Sequence, residues 1–130
     1  MRRNRVVEGL ILLAGIVIFL GGLAHDFAGW PAMAAALPDS TDTDVRAGLF
    51  IGWTFGGVAM DVLAILVLMS LFQLRRGVAS AWVTPFVVGL FYAGFGLWAL
   101  FYRDFNPHFL FFVILGLLLL PAWLLRPTVR

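Results

Sequence analysis

Four apolar runs, covering roughly residues 6–24, 43–74, 79–102 and 107–125 and separated by short polar stretches, set the pattern of this chain. Each is close to or longer than the about 20 apolar residues that an α-helix needs to cross a bilayer. The pattern predicts an all-α membrane protein, a four-transmembrane-helix antiparallel bundle, in one domain spanning residues 1–130. Within the second run, residues 48–74 read GLFIGWTFGGVAMDVLAILVLMSLFQL, and Asp61 stands near the middle. The other elements are expected to pack around that carboxylate.

Punctuation between the runs predicts how the helices begin and end. The first run follows a basic flank, Arg2, Arg3 and Arg5, as a secretory signal would, and Ala32-Met33-Ala34 offers a small-residue cleavage pattern. The apolar run is longer than a usual signal core and the candidate site lies well past its end, so a retained helix is expected. A polar stretch from His25 to Ala47 follows. Residues 31–37 are expected to form a short interfacial helix, with Trp30 at the headgroup level where indole is favoured. Thr41 with Asp44 three residues on resembles a capping box, placing the start of the second helix near Asp42. Arg75-Arg76-Gly77 reads as a tight basic turn, Pro85 falls in the first turns of the third helix, and Pro107 opens the fourth. Pro121 is expected to kink or end that helix.

Composition agrees with the pattern. Hydrophobic residues make up 62%, charged residues 12%, and the mean hydropathy is +1.00, whereas about a quarter of a soluble domain is charged. No cysteine is present, which excludes disulfides, thiolate metal sites and cysteine nucleophiles. Gly-rich phosphate loops, HExxH and GxSxG are also missing, so the reading leans away from an enzyme. All nine cations are arginine, a usage expected of a bacterial genome rich in GC.

Arginine placement also predicts orientation, because short loops rich in basic residues stay in the cytoplasm. Arg2, Arg3, Arg5, Arg75, Arg76, Arg126 and Arg130 flank one side, against Arg46 and Arg103 on the other. Both termini are therefore expected in the cytoplasm of a bacterium, with the chain multi-pass in the inner (plasma) membrane. The net charge of +2 is the sum of a basic inner and an acidic outer face, and carries no suggestion of nucleic acid.

Small residues at helical spacing predict the packing faces, since helices in lipid associate by close approach. Gly15, Gly22 and His25 share a stripe on the first helix; Thr54, Gly57, Asp61 and Ala64 share one on the second; Gly89, Ala93 and Gly96 share one on the third. These stripes are expected to converge, bringing Tyr92 to the depth of Asp61.

Two constellations of polar residues emerge as candidate sites. The intramembrane one is Asp61 with Tyr92 and Thr54: a carboxyl at that depth costs at least about 2.5 kcal/mol and is expected to face protein. Its structural reading is a protonated or hydrogen-bonded carboxyl that fixes helix register. Its functional reading is a proton- or cation-coupled carrier or channel, and a third is an Asp facing a partner subunit. The outer-face cluster comprises His25, Asp26, Arg46, Arg103, Asp104 and His108. If the first and last helices are neighbours, the two histidines approach one another. They then suit hydrogen-bonded anchors, axial ligands of haem b with arginines at its propionates, or a divalent metal beside the carboxylates. The phrases His25-Asp26-Phe27 and Arg103-Asp104-Phe105 echo one another, at a length that chance explains.

Aromatics crowd the outer half of the third and fourth helices, among them Trp98, Phe101, Phe109 and Phe112. Most fit an interfacial belt, but a quinone or isoprenoid lipid could also lie among them beside His108 or Arg103. The function expected is a non-catalytic binding or accessory subunit holding a hydrophobic ligand, lipid or quinone, or a membrane partner, with homo-oligomerisation a further expectation. The alternatives are the Asp61-dependent carrier and a haem- or quinone-linked redox protein using His25 and His108.

Overall fold

A computed structural model describes residues 4–127; Arg2, Arg3 and Arg130 of the charge asymmetry lie outside the described residues. Among the described residues there is no strand. Helix α1 (Arg5–Ala24) is followed by a π-helical turn (His25–Gly29) and α2 (Trp30–Ala36); α3 (Thr43–Arg75) and α4 (Val83–Tyr102) come next. A 3₁₀ turn (Pro107–Phe109), α5 (Leu110–Leu119) and a second 3₁₀ segment (Leu120–Leu125) complete the described elements. Four helical stretches, Arg5–Ala36, Thr43–Arg75, Val83–Tyr102 and Pro107–Leu125, are long and apolar enough to span a membrane.

The helix boundaries follow from local chemistry. Asn4 caps α1 by accepting from the Val6 and Val7 amides at 3.2 and 3.3 Å. Asp42, not Thr41, caps α3: its carboxylate accepts from the Asp44 amide at 2.8 Å and from the Val45 amide at 3.3 Å. At the other end of α3, Gly77 adopts φ 86° and the Val78 amide donates to the Gln73 carbonyl at 3.0 Å. That is the six-to-one bond of a Schellman ending. Helix α4 ends the same way, with the Phe105 amide on the Leu100 carbonyl at 2.8 Å, but Asp104 and Phe105 take positive φ without being glycine. The His25-Asp26-Phe27 stretch is helical, so its echo at Arg103-Asp104-Phe105 is not structural.

Residues 25–30, read above as the start of a polar connection, instead prolong the first helix, and the short helix expected over 31–37 is its continuation. His25 keeps helical angles, φ −57° and ψ −46°. Pro31 lacks the N–H that would bond back one turn and its ring crowds the carbonyl of that turn, so the turn ahead of it widens to the π form and the helix resumes. Pro121 acts similarly in the last helix, where the α form tightens to 3₁₀ at Leu120.

The core is a continuous apolar cluster contributed by all four spans, with Ile11, Ile18, Val67 and Leu119 fully buried. Helix α1 packs most closely on α3 and α4 on α5, while α1 also meets α5. The contact between α3 and α4 is sparser. Glycines decide these pairings. A Cβ on Gly15 would lie 2.8 Å from the Leu68 side chain, and one on Gly96 2.7 Å from the Val113 amide. The stripe Gly89, Ala93 and Gly96 therefore faces α5, where Gly116 meets Ala93 and the Gly89 carbonyl; it does not converge on Asp61. Outward faces stay apolar, as with Ile51 at 67% and Phe55 at 73% exposed, which is what lipid requires of helices with no aqueous side.

Candidate functional site

Helices α1 and α3 cross where Gly22 meets Gly57. A Cβ on Gly22 would sit 2.9 Å from the Gly57 carbonyl oxygen and overlap the Asp61 carboxylate; a Cβ on Gly57 would overlap the Asp26 carboxylate. Each glycine thus makes room for an aspartate of the opposite helix, and the two carboxylates are close enough to act on one another electrostatically. Asp26, assigned above to the outer face, and Asp61, assigned to the membrane interior, therefore both line this crossing. Asp61 as a whole is half-buried, but its Oδ1 is sealed and makes no hydrogen bond. No hydrogen bond joins Asp61 to Tyr92, whose own hydroxyl is sealed without a partner. Thr54 lies half-buried one turn before Gly57.

His25 is the hinge of the site. Its Nδ1 lies 3.3 Å from Asp26 Oδ1, and its ring stacks on Trp53 with centroids 4.2 Å apart. The Trp53 indole N–H donates to the His25 carbonyl at 2.7 Å. Two chambers are bordered in part by His25. One, of about 230 Å³, is bounded by His25, Met60, Leu63, Phe91, Tyr92 and Phe95. The other, of about 370 Å³, is bounded by His25, Ala28, Met60, His108, Phe111 and Phe112. Met60 and Phe112 belong to both. Apolar walls with a few converging polar groups are the usual make-up of a small-molecule site.

The outer-face cluster divides. His25 and His108 both border the second chamber, and Asp26 joins through His25. Arg46 turns away, donating to the Pro38 carbonyl at 3.4 Å, and Arg103 and Asp104 are exposed in the loop after α4. No guanidinium is among the residues lining that chamber, and the Asp26 contact at Nδ1 leaves His25 Nε2 uncommitted. Among the described residues no group of three His, Asp or Glu side chains is arranged to hold a metal ion.

One buried carboxylate escaped the sequence reading. Glu8 is 6% exposed and accepts from Arg75 Nε at 3.3 Å, tying the start of α1 to the end of α3. The signal was present: Glu8 lies seven residues before Gly15, on the stripe that continues to Gly22. Searched against protein families, curated proteins and solved structures, the chain matches none.

Proposed function

We propose that this chain is a non-catalytic membrane subunit that holds a small hydrophobic molecule between its helices. The observation that carries the reading is the pair of apolar chambers meeting at His25, with the Tyr92 hydroxyl buried in the wall of one and lacking a hydrogen-bond partner. A hydroxyl left so costs about 1–3 kcal/mol. A ligand that satisfies it while filling apolar space recovers that cost. The site therefore sits at His25, Tyr92 and His108, and not beside Arg103.

The proposal includes an antiparallel bundle in a bacterial inner membrane with both termini cytoplasmic, the arrangement favoured by Arg75, Arg76 and Arg126 against Arg46 and Arg103. Because the chain lacks cysteine, single cysteines report sidedness directly. Ser80→Cys should be labelled only from the cytoplasmic side and Ser40→Cys only from outside; the reverse pattern overturns the orientation.

Native mass spectrometry after gentle extraction tests the binding reading. A hydrophobic adduct, or a co-extracted membrane subunit, is expected on the parent chain. The adduct should be lost in Ala59→Phe, which fills the first chamber. A parent chain that carries neither counts against the proposal.

A second reading, proton- or cation-coupled transport through Asp61, draws on a separate observation: the sealed Oδ1 of Asp61 facing the Asp26 carboxylate across two glycines. Flux into proteoliposomes should then fall in Asp61→Asn. Equal flux in parent and variant sinks it.

A further inference from the structure

The size and chemistry of the two chambers narrow the ligand beyond its being hydrophobic. A closed apolar cavity of about 150 Å³ holds one benzene ring; the first chamber, at about 230 Å³, has room for one substituted six-membered ring. Its walls favour a ring over a chain. Phe95 meets Phe112 edge to face at 5.4 Å and Phe91 stacks on Phe95 at 6.2 Å, offering both faces and edges to a further aromatic group.

Polar groups then set what the ring must carry. Tyr92 lines the first chamber, is 2% exposed, and its sealed hydroxyl has no partner, so an oxygen substituent that displaces the wall over it and accepts its O–H satisfies it. His25 asks for the opposite. With Nδ1–H directed at Asp26 Oδ1, the imidazole keeps Nε2 as an acceptor. The point where a Cβ of Gly56 would stand lies 3.5 Å from Cε1 and 3.9 Å from Nε2, and Gly56 itself borders the first chamber. Trp53, stacked on the ring, holds that edge in place. A ligand O–H is the group that Nε2 accepts. Met60 and Phe112 also border the second chamber, whose volume of about 370 Å³ between Ala28 and Phe111 is mostly apolar-walled space for a tail.

We infer that, within the binding role proposed above and resting on it, the ligand is a hydroquinone-type ring bearing an alkyl or isoprenoid tail. One ring oxygen accepts from the Tyr92 hydroxyl and the other donates its hydrogen to His25 Nε2. The corresponding quinone has two acceptor oxygens, so it keeps the first bond and loses the second. The reduced form binds in preference to the oxidised form. An acyl chain fills the same space but leaves Tyr92 and His25 unsatisfied.

The test uses the full chain in detergent, stripped of co-purified lipid, with three probes: 2-decyl-1,4-hydroquinone kept reduced under argon, its quinone, and decanol as a tail without a ring. Calorimetric titration should give one hydroquinone per chain, bound roughly tenfold more tightly than the quinone, as one hydrogen bond to a buried partner predicts. Tyr92→Phe, which keeps the ring and removes the hydroxyl, should weaken hydroquinone and quinone alike by a similar factor. Ala59→Phe should abolish binding of all three. Equal affinity for hydroquinone and decanol in the parent chain overturns the ring assignment, and equal affinity for hydroquinone and quinone overturns the role of His25; neither comparison needs a variant. If decanol binds and Ala59→Phe removes it while the ring adds nothing, hydrophobic binding stands and the ring class falls. If no probe responds to Ala59→Phe, both fall.

Discussion

Gly22 and Gly57 have the most consequence per atom in this chain. Neither needs a positive φ; each is small because a carboxylate and a backbone carbonyl of the opposite helix occupy the space a Cβ would take. Gly57→Ala should therefore lower stability by about 1–3 kcal/mol through overpacking, read as a lower melting temperature in detergent. Gly9 has nothing within 4 Å of its Cβ position, so Gly9→Ala in α1 should stabilise by up to about 1 kcal/mol. If both variants melt alike, the crossing does not constrain the helices as described. Spacing in the sequence marked Gly22 and Gly57 as packing residues, and it placed Asp61 correctly on the Gly57 stripe. It did not mark Asp26 as the group facing Gly57, although residue 26 falls four after Gly22 on the same helical face, because the residues after Ala24 were read as a polar connection.

At the scale of elements, the helix ends and the turns were the most legible. Caps and stops depend on side chains within a few residues, and Asn106, Gly77 and Pro107 all act locally; the Asn106 side chain accepts from the His108 amide at 3.0 Å. The Gly77 turn gives a clean prediction. With φ 86° and nothing within 4 Å of its Cβ position, Gly77→Ala pays only for backbone strain, about 1–2 kcal/mol, and should lower the melting temperature without altering ligand binding. A larger loss, or loss of binding, means the turn does more than join α3 to α4. The π turn was not legible. Pro31 predicted a helix start, whereas the preceding residues were helical enough to continue through it, and the widened turn was the compromise.

For the whole molecule, the close pairs α1 with α3 and α4 with α5 leave a seam between them, and the chambers lie along it, bordered by residues of all four spans. A molecule seated there touches both pairs and stabilises the folded state by mass action, by about 2.7 kcal/mol at a hundred times its dissociation constant. Adding a membrane lipid extract to stripped protein should accordingly raise its melting temperature, and Ala59→Phe should melt at the same temperature with and without extract. An equal rise in both places the effect on the lipid-facing surface.

The sequence by itself determined that this chain forms four apolar helices long enough to span a membrane, where most of them start and stop, and which small residues lie at their contacts. Those are consequences of hydropathy and of interactions a few residues long. Only the tertiary structure decided that Gly89, Ala93 and Gly96 serve α5, that Asp26 and Asp61 meet across two glycines, that Glu8 reaches Arg75, and that Tyr92 and His25 border a cavity while Arg103 does not. Helices that are apolar on every side have no preferred face in lipid, so their rotation and pairing are set by how surfaces fit, and fit is a property of two helices together.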